Sequence, residues 1–246
     1  MESDPRPESN GRAAASGRSG FDGPEPVRGK GYRGLAMEGF VARWYAKTRG
    51  TSAQLEEAER QAERLTGDLP QGAHVLEVAP GPGYLSVEMA RSGRLRVTGL
   101  DISRTFVELS RGYARTNAVD VEFRWGDVSA MPVESATVDR IVCQAAFKNF
   151  RWPAAALDEM YRVLRPGGTA IVQDMRHEAT DRAIREEVAK MDLSRLRAFL
   201  THRTLAGLRR RAYSEARFRG LATASRFGGC ALSSDGIGME ARLRKP

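Results

Sequence analysis

The run "LEVAPGPGY", Leu76 to Tyr84, joins an acidic side chain to a glycine pair. Glycines at 81 and 83 let backbone amides approach a ligand closely. Glu77, in an otherwise apolar strand, points to a ligand with a cationic or amino end, because a carboxylate placed there without a partner is strongly disfavoured. A dinucleotide fingerprint wants glycine at the next fixed offset; this chain has Ser86 there, and Pro82 between the two glycines. Asp101 closes "GLDIS", where a strand-end carboxylate can accept both hydroxyls of a ribose. Further on, "GDVSAMP" offers Asp127 for the exocyclic amine of adenine and Val128 to pack on the ring.

A second group follows in "QAAFKNF" and "QDMRH". Gln144, Phe147, Lys148, Asn149, Asp174 and His177 are expected around a crevice above the fourth and fifth strands. His177 is the best general base by ordinary pKa and Asp174 the second, while Asn149 can hold an acceptor oxygen. Lys148 is read as reaching an anionic substrate group or as solvated. Arg203, Arg209, Arg210, Arg211, Arg217 and Arg219 crowd one helical stretch, and would favour an acidic substrate if two or three converged on the crevice.

Five strand candidates must position these groups: "HVLEVA", "RVTGLDI", "VEFRWGD", "DRIVCQAAF" and "GTAIVQDM". Helix candidates "YLSVEMARSG", "RTFVELSRGYARTNA" and "AAALDEMYRVL" lie between them. Such alternation predicts a doubly wound, Rossmann-like α/β sheet with its ligand crevice at the strands' carboxyl ends. Two helices precede it. The first carries Met37, Phe40, Val41, Trp44 and Tyr45 at helical spacing, and the second starts at Thr51 or Ser52 and ends near Gly67. After Met175 a long helical stretch places Ile184, Val188, Met191, Leu196, Phe199 and Leu200 toward the domain. Two short strands joined at "SSDG" close the chain, bringing the expected sheet to seven strands.

With 246 residues the chain suits one α/β domain with appended helices. Residues 1–34 are rich in Gly, Pro, Ser, Arg and Glu and are expected to be a disordered tail. The domain then runs 35–246, with N-terminal helices over 35–68 and a helical lid over 176–222. No apolar run approaches the roughly 20 residues of a membrane helix, and no secretory signal precedes the domain, so a cytoplasmic location is expected. Cys143 and Cys230 read as buried thiols in a reducing compartment. The net charge of +8 permits nucleic-acid binding, and a solvated basic surface accounts for it equally.

Taken in order, the four motifs "LEVAPGPGY", "GLDIS", "GDVSAMP" and "LRPGG" resemble the class I S-adenosylmethionine-dependent methyltransferases. The resemblance implies S-adenosyl-L-methionine as cofactor and no metal. It assigns the methionine part to Glu77, Ala79, Pro80, Gly81 and Gly83, and the ribose to Asp101 and Ile102. Gly126, Asp127 and Val128 would meet the adenine, Gln144 would complete the pocket, and Tyr45 would close over it from the N-terminal helix. It also implies a terminal antiparallel strand inserted at the sheet edge. "AFKNFRWPAAALDEMYRVLRPGG" is similar to the ubiquinone/menaquinone C-methyltransferase branch, although that branch's Gly-Gly-Thr-Gly loop is here Pro80-Gly81-Pro82-Gly83. The expected reaction is C- or O-methylation of a small molecule such as a quinol, a phenol or another secondary metabolite, with an anionic acceptor and a homodimer both left open. An RNA or DNA methyltransferase is the alternative, opposed by the lack of an Asn/Asp-Pro-Pro-aromatic signature. A non-catalytic cofactor-binding protein on the same fold is another, and a nicotinamide oxidoreductase ranks last.

Overall fold

The computed structural model describes residues 32–33, 37–191 and 193–246. The expected tail lies outside these residues except for Tyr32 and Arg33. Tyr32 bridges to Phe150, and the Arg33 amide donates to the Asn149 carbonyl at 2.7 Å, so these two residues are docked on the domain.

Seven strands form one sheet in the order β3-β2-β1-β4-β5-β7-β6. They are β1 (His74–Val78), β2 (Arg96–Asp101), β3 (Glu122–Trp125), β4 (Val138–Gln144), β5 (Leu164–Met175), β6 (Ala231–Asp235) and β7 (Gly238–Arg244). The first five are mutually parallel, while β7 is antiparallel to β5 and lies between it and β6. A doubly wound sheet and an inserted terminal strand are therefore both present. β1 is central and buried along its whole length. Val75 packs with Leu65, Leu85 and Met89 on one face, Leu76 and Val78 with Leu157, Met160 and Phe147 on the other. The chain leaves β1 toward β2 on one side and returns to β4 on the other. Their carboxyl ends therefore flank a topological switch point, where open α/β sheets bind ligands.

Crossovers are made by α3 (Tyr84–Ala90), α4 (Arg104–Thr116) and α5 (Pro153–Val163). Ser103 caps α4, its hydroxyl accepting the Phe106 amide at 3.1 Å, and Pro153 opens α5, where its missing amide hydrogen is no loss. "LRPGG" lies inside β5 as a bulge: Leu164 pairs with Val138, and pairing resumes at Thr169 with Arg140. The terminal turn sits later than expected. Ser233, Ser234 and Asp235 are in β6, and the chain reverses at Gly236 and Ile237 because Gly236 takes the positive φ of 50° that a two-residue turn demands. Cys143 is fully buried and Cys230 only half-buried; both are free thiols.

The N-terminal helices are α1 (Gly39–Arg49) and α2 (Ser52–Thr66). The stretch expected as a lid forms α6 (Asp181–Ala189), α7 (Arg195–Arg209) and α8 (Glu215–Ala224) rather than one long helix. Two amphipathic assignments need correction. Ile184 and Val188 are buried, but Met191, Leu196, Phe199 and Leu200 are exposed. The break between α6 and α7 resets the helical phase, so Ala198, Leu205, Ala206 and Leu208 pack inward instead. On α1, Ala42 and Ala46 face the domain, whereas Phe40, Val41 and Trp44 face outward. None of the helices in the described residues is long and apolar enough to cross a membrane.

Candidate functional site

At the end of β1, Ala79 takes φ 57°, and Gly81 and Gly83 take φ 56° and 82°. At the neighbouring end of β4, Ala145 takes φ 53°. Left-handed alanines are disfavoured by about 1–2 kcal/mol each; of the four among the described residues, Ala79 and Ala145 stand here, and Ala118 and Ala136 lie in turns elsewhere. The two glycines have different reasons for being glycine. A Cβ on Gly83 would stand 2.7 Å from Ser110 Cβ and 2.9 Å from Phe123 Cζ, whereas a Cβ on Gly81 would meet nothing within 4 Å. Gly83 is needed for packing; Gly81 leaves an open face at the crevice.

Glu77 and Asp101 both tie down this loop. The Ser86 hydroxyl, on α3, donates to Glu77 Oε2. Asp101 Oδ2 accepts the Gly81 amide at 3.1 Å, and Oδ1 accepts the Ser103 amide at 2.8 Å. Both carboxyls are buried, and no Lys or Arg side chain among the described residues pairs with either. Burial pushes Glu77 up to about 7 and Asp101 up to about 6, and the two acids raise Glu77 further by their mutual repulsion. A glycine turn flanked by two buried, cation-free carboxyls fits a ligand that brings positive charge and hydroxyl donors. S-adenosylmethionine has both.

Gly126 follows β3, and its amide donates to the Asp101 carbonyl at 3.0 Å. A Cβ there would press on Leu100 and Pro132 at 2.8 and 2.9 Å. Asp127 is half-buried, with Oδ1 accepting both the amide and the hydroxyl of Ser129 at 2.8 Å, a local turn in which Oδ2 has no partner among the described residues. Val128 is buried, and the half-buried Ile102 offers its carbonyl to Trp125 Nε1 at 2.9 Å. Gln144 donates to Gln173 Oε1 at 2.6 Å, so its amide is engaged across the sheet.

The segment entering α1 covers the same end of the sheet. Met37 O accepts the Ser103 hydroxyl at 2.6 Å, and the Glu38 carboxylate accepts the amides of Arg104 and Thr105 at 2.9 and 3.1 Å. Tyr45 packs edge-on against Phe106 at 5.9 Å, and Tyr84 donates to the Ala46 carbonyl at 2.9 Å. Tyr32 is half-buried with Arg211, Tyr45 and Asp101 as neighbours, and burial raises its phenol. Glu38, Tyr32 and Ala145 were not singled out in the sequence, and Ser86 was read only as the residue that breaks the dinucleotide fingerprint. An acid just ahead of α1 was the only cue for Glu38, and nothing local pairs Ser86 with Glu77.

The second group divides. Lys148 is neither solvated nor turned to a ligand: it is buried, and its ammonium lies 2.7 Å from Asp174 Oδ1 and 2.5 Å from the Ala145 carbonyl. Asp174 also accepts the Lys148 amide at 2.9 Å and the Met175 amide at 2.7 Å. Asp174 is thus buried and held by the chain's own donors, the arrangement of a structural carboxylate and not of the expected base. His177 is also corrected: it is exposed, with Nδ1 3.1 Å from the Arg209 carbonyl at the lid. Phe147 is fully buried among Phe150, Tyr213 and Phe218. Asn149 remains. It is buried, its Oδ1 has no hydrogen-bond partner among the described residues, and its carbonyl accepts the Arg33 amide. The arginines do not converge: Arg203 stacks on Phe199, Arg209 pairs with Asp181, Arg217 covers Tyr213, and Arg211 alone reaches the N-terminal segment.

Residues 75–168 match a family described as a methyltransferase domain. The chain is 28% identical over 152 residues to a demethylmenaquinone methyltransferase of Deinococcus radiodurans, covering 60% of this chain and 63% of the relative. It is 33% identical to one of Renibacterium salmoninarum, over 43% of each chain. A ubiquinone biosynthesis O-methyltransferase of Coxiella burnetii is 26% identical, over 40% of this chain and 42% of its own. The chain thus spans between two fifths and two thirds of the curated relatives it matches. Among solved structures, an S-adenosylmethionine-dependent methyltransferase of Aquifex aeolicus superposes with TM-score 0.61 at 17% identity, covering 81% of this chain and 96% of its own. A Methanococcus maripaludis protein assigned to the same class gives 0.67 at 19%, covering 83% and 92%. Residues 75–168 thus match the methyltransferase-domain family, and the sheet order is the fold of the solved S-adenosylmethionine-dependent methyltransferases.

Proposed function

We propose that this protein is an enzyme that methylates a small hydroxylated ring, of the quinol or phenol type, at carbon or oxygen. The observation that carries the cofactor side is the pair of buried, cation-free carboxyls, Glu77 and Asp101, on either side of the glycine loop. Both demethylmenaquinone and ubiquinone-pathway methyltransferases among its relatives support the acceptor class.

When bound, S-adenosylmethionine supplies a methyl group already activated by a positively charged sulfur. The chain therefore has to position the reactants and exclude water. Asp101 accepts the ribose hydroxyls, and Glu77 keeps the loop negative toward the cationic end. Gly81 leaves room for close approach, Asp127 Oδ2 and Val128 receive the base, and Tyr45 lies over it from α1. On the acceptor side, Asn149 Oδ1 is a buried acceptor awaiting a donor, which matches an O–H on the ring. Arg33, against Asn149, and Met37 and Glu38, against Ser103 and α4, cover this end of the sheet.

The test combines calorimetric titration of S-adenosylhomocysteine with turnover on a panel of quinols and phenols. Asn149→Ala should lower kcat/KM by about tenfold, the worth of one buried hydrogen bond, while leaving S-adenosylhomocysteine affinity and stability unchanged. Cofactor binding with no turnover on any hydroxylated ring would overturn the acceptor class. No cofactor binding would overturn the whole reading.

A further inference from the structure

Two helices expose apolar side chains that the described chain does not cover. Along α7 successive residues advance by about 100°. Ala198, Leu205 and Ala206 share one side, packed toward Ile184 and Val188. Leu196 and Leu200 lie on the opposite side and Phe199 at its edge; they are 69%, 54% and 58% exposed. Arg195, Arg197 and Arg203 stand around them, and the Arg203 guanidinium lies 5.9 Å from the Phe199 ring centroid. α1 repeats this arrangement. Ala42 and Ala46 are buried, Phe40 and Trp44 are 81% and 58% exposed, and Arg43 and Lys47 flank them. Neither helix contains a single Asp or Glu.

Both helices border the crevice. Glu38, immediately before α1, caps the start of α4 beyond the carboxyl end of β2. The α6–α7 pair follows Met175 at the carboxyl end of β5. Arg211, just past α7, donates to the Arg33 carbonyl in the segment that leads to α1.

We infer that these two helix faces dock the protein on an anionic lipid bilayer. Scattered exposed hydrophobes need no explanation, but aromatic and aliphatic side chains grouped on acid-free helices and rimmed by arginine form the pattern of an interfacial helix. Apolar side chains enter the boundary between headgroups and acyl chains, and the arginine stems lie along it while their guanidinium groups pair with lipid phosphates. Charge complementarity selects this occupant. A nucleic acid would satisfy the arginines and leave Leu196 and Leu200 in water. A second copy of the chain would set arginines and lysine of like sign against each other. The net charge of +8 acts in the same direction at longer range. The inference goes beyond the methyl-transfer reading and does not depend on it; where both hold, the crevice opens at the surface from which a lipid-soluble acceptor comes.

The test is sedimentation of the full chain with vesicles of phosphatidylcholine alone and of phosphatidylcholine mixed with phosphatidylglycerol. Binding should be at least about tenfold stronger to the anionic vesicles and weaken with salt. The triple substitution Leu196→Ser, Phe199→Ser, Leu200→Ser should weaken it by at least about tenfold, as should Arg195→Gln, Arg197→Gln, Arg203→Gln. Urea unfolding followed by circular dichroism reports, without any ligand, that each variant is folded. Three results would overturn the inference: no binding to anionic vesicles, full binding by the Leu196/Phe199/Leu200 variant together with displacement by RNA or DNA, or a dimer lost in that variant without any vesicle binding.

Discussion

Replacing Asp101 by Asn separates a ligand-binding carboxylate from a structural one. In the free protein this carboxyl is held at about 6 against an ordinary 3.8, so about 3 kcal/mol stands against its charge at neutral pH. Asparagine removes that charge. It keeps one acceptor oxygen, so one of the bonds from Gly81 and Ser103 is lost, at a cost of about 1–3 kcal/mol. The two changes oppose each other, and stability without ligand should stay within about 2 kcal/mol of the parent. Cofactor binding has no such compensation. The amide group faces one ribose hydroxyl with a donor instead of a charged acceptor, which should weaken binding by about 2–3 kcal/mol, or about 30- to 150-fold. Calorimetric titration of S-adenosylhomocysteine at pH 8 measures the second quantity, and urea unfolding without ligand measures the first. The parent's affinity should also fall about tenfold per pH unit well below pH 6, because the bound form requires the ionised carboxylate, and the variant should lose that dependence. An affinity within about threefold of the parent, or a stability loss above about 3 kcal/mol, would refute the ligand role assigned to Asp101.

Glu77, held at about 7 rather than 4.5, binds its proton more tightly when folded; its contribution to stability is complete below pH 4.5 and disappears as pH rises through 7. Urea unfolding should therefore show Glu77→Gln flattening a pH 5 to 8 decline of about 3 kcal/mol, and an unchanged slope would contradict the burial argument. Gly83→Ala should destabilise by about 2–4 kcal/mol because its Cβ collides with Ser110 and Phe123, while Gly81→Ala should cost only about 1–2 kcal/mol of backbone strain and act mainly on cofactor affinity. Equal stability losses for the two would remove the distinction between packing and ligand approach. Lys148→Met leaves Asp174 buried without its cation and should cost about 3–5 kcal/mol; adding Asp174→Asn should restore most of it in the same unfolding assay. A loss below about 1 kcal/mol would mean that the pair is not the anchor of the β4–β5 crevice wall.

The turns and strand ends that carry the residues proposed for the cofactor were legible because their determinants are local. Glu77, Gly81, Gly83, Asp101 and Gly126 sit at strand ends and tight turns, and their types and spacing follow from what a strand-to-helix turn can hold. The acceptor half was not. His177 and Asp174 had the right chemistry and the right strand, but the side to which a loop residue turns depends on what packs behind it. Lys148 claimed Asp174, and the lid took the backbone and ring of His177 outward. Ser86 shows the limit most clearly. In the sequence it counted only as a missing glycine, whereas in the fold it is the fully buried donor to Glu77.

By itself, then, the sequence determined the succession of strands and helices, the parallel sheet and the carboxylates offered at its edge, since period, turn chemistry and burial act over a few residues. Tertiary structure alone decided which partners those carboxylates meet, that β1 and β4 lie side by side with strained alanines at their ends, and that α1 and α7 turn their apolar faces outward. The physical reason is the same in each case. Helical periodicity says that an apolar face exists, and only the neighbours brought in by the rest of the chain determine whether a smaller face, such as that of Ala42 and Ala46, packs more closely and leaves the larger one exposed.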